Sequence, residues 1–135
     1  MAATEGPATV PNLYRGMKAD GNYPLVEQSA RGLGVRTTGP YADVLPDVDG
    51  FVEPVGGMSV APDDPLLLDQ HRRPPAYGGT GDDPVWVIQS DQLPQSLAFV
   101  RDTVTHGVIA PAGQTTLSTY QAALASTQPD WIQLP

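Results

Sequence analysis

The sequence predicts an α+β fold, built mainly from short strands joined by tight turns. Fourteen glycines and fifteen prolines among 135 residues exclude a helical bundle or a long coiled coil, because both residue types break helix interiors. They are interleaved with Val, Leu, Ile and Trp rather than gathered into repeats, which is the pattern of strand and turn. The strand-like segments mostly follow one another without an intervening helix, and this separates α+β from doubly wound α/β.

Met1 to Pro11 is small and polar, with no basic segment leading into an apolar one. It reads as a flexible lead-in rather than a secretory signal, ahead of a single domain over residues 12–135. Asn12 to Met17 reads as the first strand and Lys18 to Pro24 as a turn-rich loop. Leu25 to Arg31 carries two turns of helical spacing, ended by Gly32 and Gly34. Leu33 to Arg36 is short and extended. Thr37 to Gly50, with two prolines and three aspartates, reads as a loop holding a short strand over Tyr41 to Leu45. Asp49-Gly50 is a turn signal before a strand at Phe51 to Val55.

The glycine pair Gly56-Gly57 leads into an apolar strand through Ala61. Leu66 to Leu68 is buried, as strand or helical turn, and Gln70 to Gly81 is irregular. Val85 to Gln89 (Val-Trp-Val-Ile-Gln) is the clearest strand by composition. Leu97 to Arg101 reads as another, with a helix over Pro94 to Asp102 as the alternative, and Val104 to Ala110 follows. The last element is a helix. Thr116 is its N-cap, and Leu117, Tyr120, Gln121, Leu124 and Thr127 recur at helical spacing until Pro129 stops it. Trp131 packs back on the core. The expected total is five to seven short strands and one or two helices.

The inventory excludes several chemistries. With no cysteine there is neither a disulfide framework nor a thiolate nucleophile or ligand. The two histidines, His71 and His106, are too far apart in sequence for a helical metal pair, and no metal is expected. Gly57-Met58-Ser59-Val60-Ala61 lacks the second glycine of a nucleophile elbow. Gly78-Gly79-Thr80-Gly81 lacks the strand and helix that a phosphate-binding glycine loop requires. A formal charge of −8 argues against a nonspecific grip on nucleic acid, and no apolar run is long enough to span a bilayer.

Two biases remain. The basic residues are six arginines and one lysine, Lys18, and arginine offers a planar fork for phosphate or carboxylate. The three glutamates are Glu5, Glu27 and Glu53, so the chain has no glutamate beyond residue 53. Arg15, Ser59, His71, Arg72, Asp102 and His106 lie on or beside short strands. Each has a plain structural explanation when taken singly: an ion pair for Arg15, a satisfied strand hydroxyl for Ser59, a packed side chain for His106.

Their order is more informative. Leu13-Tyr14-Arg15-Gly16, Leu33-Gly34-Val35-Arg36, Asp49-Gly50 leading to Pro54, and Gly56-Gly57-Met58-Ser59-Val60 are followed by Leu93-Pro94, Leu97 to Asp102, and His106-Gly107-Val108-Ile109-Ala110-Pro111 before the final helix. This succession resembles the ADP-ribosyltransferase-like toxins of type VI secretion systems, the Tse-type cytotoxins, over most of residues 12–131.

The resemblance implies a small, split and strongly bent β-sheet core with NAD, as substrate, in its cleft. It implies that Arg15 is the first-strand arginine supporting the NAD phosphate and ribose, with Tyr14 beside it. Ser59 is then the middle-strand hydroxyl that orients the nicotinamide ribose. His71 and Arg72 are further candidates for holding NAD. The late-strand glutamate of the wider family has no counterpart here. Its place falls in Asp102 to His106, where Asp102, Thr103 and His106 are the candidates.

The implied activity is mono-ADP-ribosylation of an intracellular target by a cytotoxic effector. The alternatives are a non-catalytic binding toxin that kept the fold, and an NAD glycohydrolase. The resemblance also implies a cognate immunity or antitoxin partner. The toxin would stay in the producer's cytoplasm when neutralised and act in the cytoplasm of a target cell, with no membrane and no sequence-specific nucleic acid as partner.

Overall fold

The computed structural model describes residues 10–40 and 42–135. The expected lead-in falls mostly outside them, as does Tyr41. The main sheet is antiparallel and six-stranded. In chain order its strands are β1 (Asn12–Gly16), β5 (Met58–Pro62), β6 (Val85–Gln89), β7 (Leu97–Arg101), β8 (Gly107–Pro111) and β10 (Ile132–Gln133). They lie side by side as β10-β6-β1-β5-β8-β7. Two-residue strands make the smaller pairs β2 (Ala19–Asp20) with β3 (Tyr23–Pro24), and β4 (Phe51–Val52) with β9 (Thr115–Thr116). One α-helix, α1 (Leu117–Ser126), is found among the described residues. None is long and apolar enough to cross a membrane.

The sheet is split in its middle. Strand β1 pairs along its whole length with β6, from Asn12 opposite Gln89 to Gly16 opposite Val85. Its pairing with β5 covers only Leu13 opposite Pro62 and Tyr14 opposite Ala61. Beyond that point β5 turns to β8 instead, with Met58, Ser59 and Val60 opposite Ile109, Val108 and Gly107. The strands therefore diverge where Arg15 and Ser59 sit. Backbone groups at such a divergence lose their ladder partners and must find others.

The core lies between the sheet and α1. Trp86, Leu13, Ile88, Met58 and Ile109 from the strands meet Tyr120 and Leu124 from the helix. The helix starts where the sequence places it, with Thr116 Oγ1 accepting from the Thr119 N–H at 3.2 Å. Trp131 is buried as expected, its indole N–H donating to Thr127 Oγ1 at 2.9 Å. Tyr120 ties the two halves of the divergence together: its hydroxyl donates to the Ile109 carbonyl on β8 and accepts from the Met58 N–H on β5.

Four expected readings differ. Leu66 to Leu68 is not buried: a 3-10 turn over Pro65–Leu67 leaves Leu66 exposed. Leu25 to Arg31 is not helical. The Leu33 N–H donates to the Leu25 carbonyl at 2.7 Å and the Glu27 N–H to the Leu33 carbonyl at 3.3 Å, so the segment is doubled back on itself. A Cβ at Gly34 would overlap the Glu27 carbonyl, so only glycine lets these stretches close up. Ala42 to Leu45 forms no strand, because Asp43 turns back onto Arg36: its N–H donates to the Arg36 carbonyl and its carboxylate accepts from the Arg36 N–H, both at 2.8 Å. Val104 to Thr105 belongs to a turn, since the N–H groups of Asp102 and Thr103 both donate to the His106 carbonyl at 3.1 Å. The strand beyond it starts at Gly107. Over Pro94 to Asp102 the helical alternative gives way to strand β7, paired with β8 from Leu97 to Arg101.

Candidate functional site

Arg15 stands at the start of the split, and its side chain fills the space that the missing ladder leaves. The guanidinium is buried at 6% exposure. Its Nη1 donates to the Ser59 carbonyl across the gap at 2.8 Å. Its Nε and Nη2 donate to the Gly32 carbonyl at 3.2 and 3.0 Å. Longer contacts from Nη2 reach the carbonyls of Ser29, Ala30 and Gly34. Burial lowers its pKa to about 10, against the pull of Asp43 in the other direction, so the group remains a cation at neutral pH. An ion pair was one expectation for Arg15; a cage of backbone carbonyls holds it instead.

The cleft at the split has a volume of about 220 Å³. Its walls include Arg15, Arg36, Asp43, Ser59, Arg72 and His106. Gly16 brings one wall in, because a Cβ there would overlap the Arg72 carbonyl. Arg72 then reaches across, its Nη1 donating to the Ala30 carbonyl at 2.8 Å. The Ser59 hydroxyl has no hydrogen-bond partner among the described residues, although its carbonyl is taken by Arg15. It is half-buried on β5 and lines the cleft.

His106 closes the turn between β7 and β8. Its Nδ1 lies 2.8 and 2.9 Å from the two carboxylate oxygens of Asp102. A carboxylate on Nδ1 fixes the imidazole with that nitrogen as donor and leaves Nε2 as the nitrogen available to a reactant. Asp102 thus reaches the cleft only through its contact with His106, while Thr103 is exposed in the turn and bonds within it, to Thr105. Neither Asp102 nor Thr103 lines the cleft, whereas Thr105 does.

A second cleft, of about 390 Å³, lies beside the first and is lined by His71, Arg31, Thr80 and Asp82 among others. Gly16, Ala30 and Arg72 line both. The sequence-derived set is therefore divided. Arg15, Ser59, Arg72 and His106 meet in the first cleft, His71 faces the second, and Tyr14 lines neither. Strand alternation places Tyr14 on the opposite side of β1 from Leu13 and Arg15.

Sequence reasoning missed Arg36 and Asp43. Arg36 closes the Leu33-Gly34-Val35-Arg36 stretch and Asp43 is one aspartate among three in a loop. What joins them is a loop closure that no residue pattern marks: the chain folds back so that the Asp43 carboxylate is held by the Arg36 N–H. Among the described residues, Asp43 and Asp69 are the carboxylates on the walls of this cleft.

A family described as Tse2 ADP-ribosyltransferase toxin matches the chain over residues 12–131. That span runs from the start of β1 to Trp131 and takes in every residue of both clefts. No curated protein matches the chain.

Proposed function

The chain belongs to the Tse2 ADP-ribosyltransferase toxin family, and from that premise we propose that it is an NAD-dependent mono-ADP-ribosyltransferase acting as a cytotoxic effector inside a target cell. The observation that carries the reading is the cleft at the sheet split, where the unpaired Ser59 hydroxyl and the Asp102-held His106 lie on shared walls with arginines. The bond to be broken joins the nicotinamide nitrogen to C1′ of its ribose. Its electrons leave with neutral nicotinamide, and the ribose passes through an oxocarbenium-like state. The leaving group is good, so positioning and electrostatics carry most of the catalysis.

In this reading the Ser59 hydroxyl bonds the nicotinamide ribose and fixes its orientation. Arg15 positions Ser59 through the backbone. The acceptor attacks C1′ and releases a proton, for which His106 Nε2 is the base. The Asp43 carboxylate, on the same walls, supplies negative charge toward the developing cation.

The same reading includes delivery into a neighbouring cell by type VI secretion, and a cognate immunity protein that covers the cleft in the producer. It is tested by incubating the purified protein with NAD and an extract of target cells. Nicotinamide release and labelling of an extract component are expected, and both are lost in Ser59→Ala. Free ADP-ribose without labelling would make it a glycohydrolase. A toxic protein with neither NAD consumption nor NAD binding would make it a binding toxin.

A further inference from the structure

We propose that Arg72 and Arg36 form the diphosphate-binding pair of this cleft. The inference rests on the NAD reading above and assigns the charged part of that ligand to residues. It follows from what each guanidinium already bonds.

Four of the six arginines already bond through two or more of their nitrogens. Arg15 is caged by the carbonyls of Gly32 and Ser59. Arg31 grips both oxygens of Asp83 at 2.7 Å. Arg73 donates to the Leu68 and Tyr77 carbonyls at 3.0 and 2.5 Å. Arg101 donates to Asp63 at 3.0 Å and to the Val104 carbonyl at 3.2 Å.

The remaining two line the first cleft and keep donors in hand. Arg72 uses only Nη1, toward Ala30, so Nε and Nη2 have no partner among the described residues. Arg36 is the clearer case. Its Nε is buried without a hydrogen bond, and the nearest carboxylate oxygen, on Asp43, is 3.9 Å away and already accepts from the Arg36 N–H. A buried donor left unpaired is costly and uncommon in folded proteins. The Arg36 Nη1 and Nη2 groups also have no partner among the described residues, and with the side chain about one-third exposed they can be presented to a ligand.

Position and charge agree with this. The first cleft alone is smaller than the roughly 300–1,000 Å³ typical of sites for drug-sized ligands. The second adjoins it, with Arg72 on the wall common to both. A dinucleotide laid across both clefts puts its middle, the diphosphate, beside Arg72. Three guanidinium groups line the first cleft against the carboxylates of Asp43 and Asp69. This is a local excess of positive charge in a chain of net charge −8. Arginine forks suit a doubly charged diphosphate with several oxygens to share.

The test is calorimetric titration of the intact protein with inorganic pyrophosphate, ADP-ribose and nicotinamide riboside. The wild type binds all three. Arg36→Gln and Arg72→Gln each weaken the first two by about ten-fold or more and leave the riboside unaffected. Arg36→Lys keeps the charge without Nε and falls between wild type and Arg36→Gln. Circular dichroism confirms that each variant is folded. No binding of pyrophosphate or ADP-ribose by the wild type, or equal affinity in the glutamine variants, overturns the assignment. Arginine-dependent pyrophosphate binding without NAD consumption keeps the anion site and sinks the transferase reading. NAD consumption untouched by either substitution does the reverse.

Discussion

Arg15 Nη1 and the Ser59 carbonyl, 2.8 Å apart, bridge β1 and β5 at the point where their ladder stops. The guanidinium replaces the backbone donors that the partner strand no longer offers, so the sheet opens at this point without leaving orphaned carbonyls. Removing it leaves the carbonyls of Ser59 and Gly32 without this donor. Arg15→Ala is expected to cost on the order of 3 kcal/mol or more of stability. Arg15→Lys restores only part, since an ammonium cannot reproduce the fork. Urea denaturation checks both, and a stability change near zero in Arg15→Ala would refute the keystone role.

Ser59 offers the opposite profile. Its hydroxyl has no partner among the described residues, and its structural contribution is made through the backbone. Ser59→Ala should therefore change stability by less than about 0.5 kcal/mol. It should nevertheless remove NAD consumption and relieve growth inhibition when expressed in a susceptible cell. Equal toxicity of wild type and Ser59→Ala would show that the hydroxyl has no part in the activity.

The fold was legible where it depends on local pattern. Val85 to Gln89 and Leu97 to Arg101 are strands as read, because a short apolar run rich in β-branched and aromatic residues is a local signal. The start of α1 at Thr116 was legible for the same reason, as a cap is a single-residue device. Leu25 to Arg31 was misread because its backbone bonds go to Leu33, and the helical spacing of its side chains carries no information about that partner. The site follows the same division. Arg15, Ser59 and His106 stand out by their place on strand-like segments beside glycines. Arg36 and Asp43 did not, since only the return of a loop onto itself brings them to the cleft. Nor could the sequence say what holds Arg15: its acceptors are carbonyls, present at every position and marked by none.

His106 and Asp102 form a testable pair. His106 lines the cleft and Asp102 reaches it only through the imidazole. In His106→Ala, kcat/KM for ADP-ribosyl transfer should fall by about 100-fold or more. Asp102→Asn should give a smaller loss, mainly in kcat, because the ring keeps its place but loses the carboxylate that fixes its tautomer. Both side chains are nearly half-exposed, so both variants should melt close to wild type. A larger loss in Asp102→Asn than in His106→Ala would reverse the assigned roles.

Tyr120 links the sheet split to pH. Burial raises its pKa above the ordinary 10 of a tyrosine. In the unfolded chain the phenol ionises near that ordinary value, while in the folded protein it stays protonated to higher pH. Above pH of about 10 the unfolded chain has lost this proton while the folded protein keeps it, so the Tyr120 contribution to stability falls as pH rises. Tyr120→Phe removes this contribution but leaves the Met58 N–H and the Ile109 carbonyl without the hydroxyl that joins them. At neutral pH the variant should be less stable by about 1–3 kcal/mol. Between pH 9 and 11 its stability, from urea titrations, should decline less steeply than that of the wild type, at roughly the one-proton scale of 1.4 kcal/mol per pH unit. Parallel declines would mean that Tyr120 ionises equally in both states and that its burial exerts no such control.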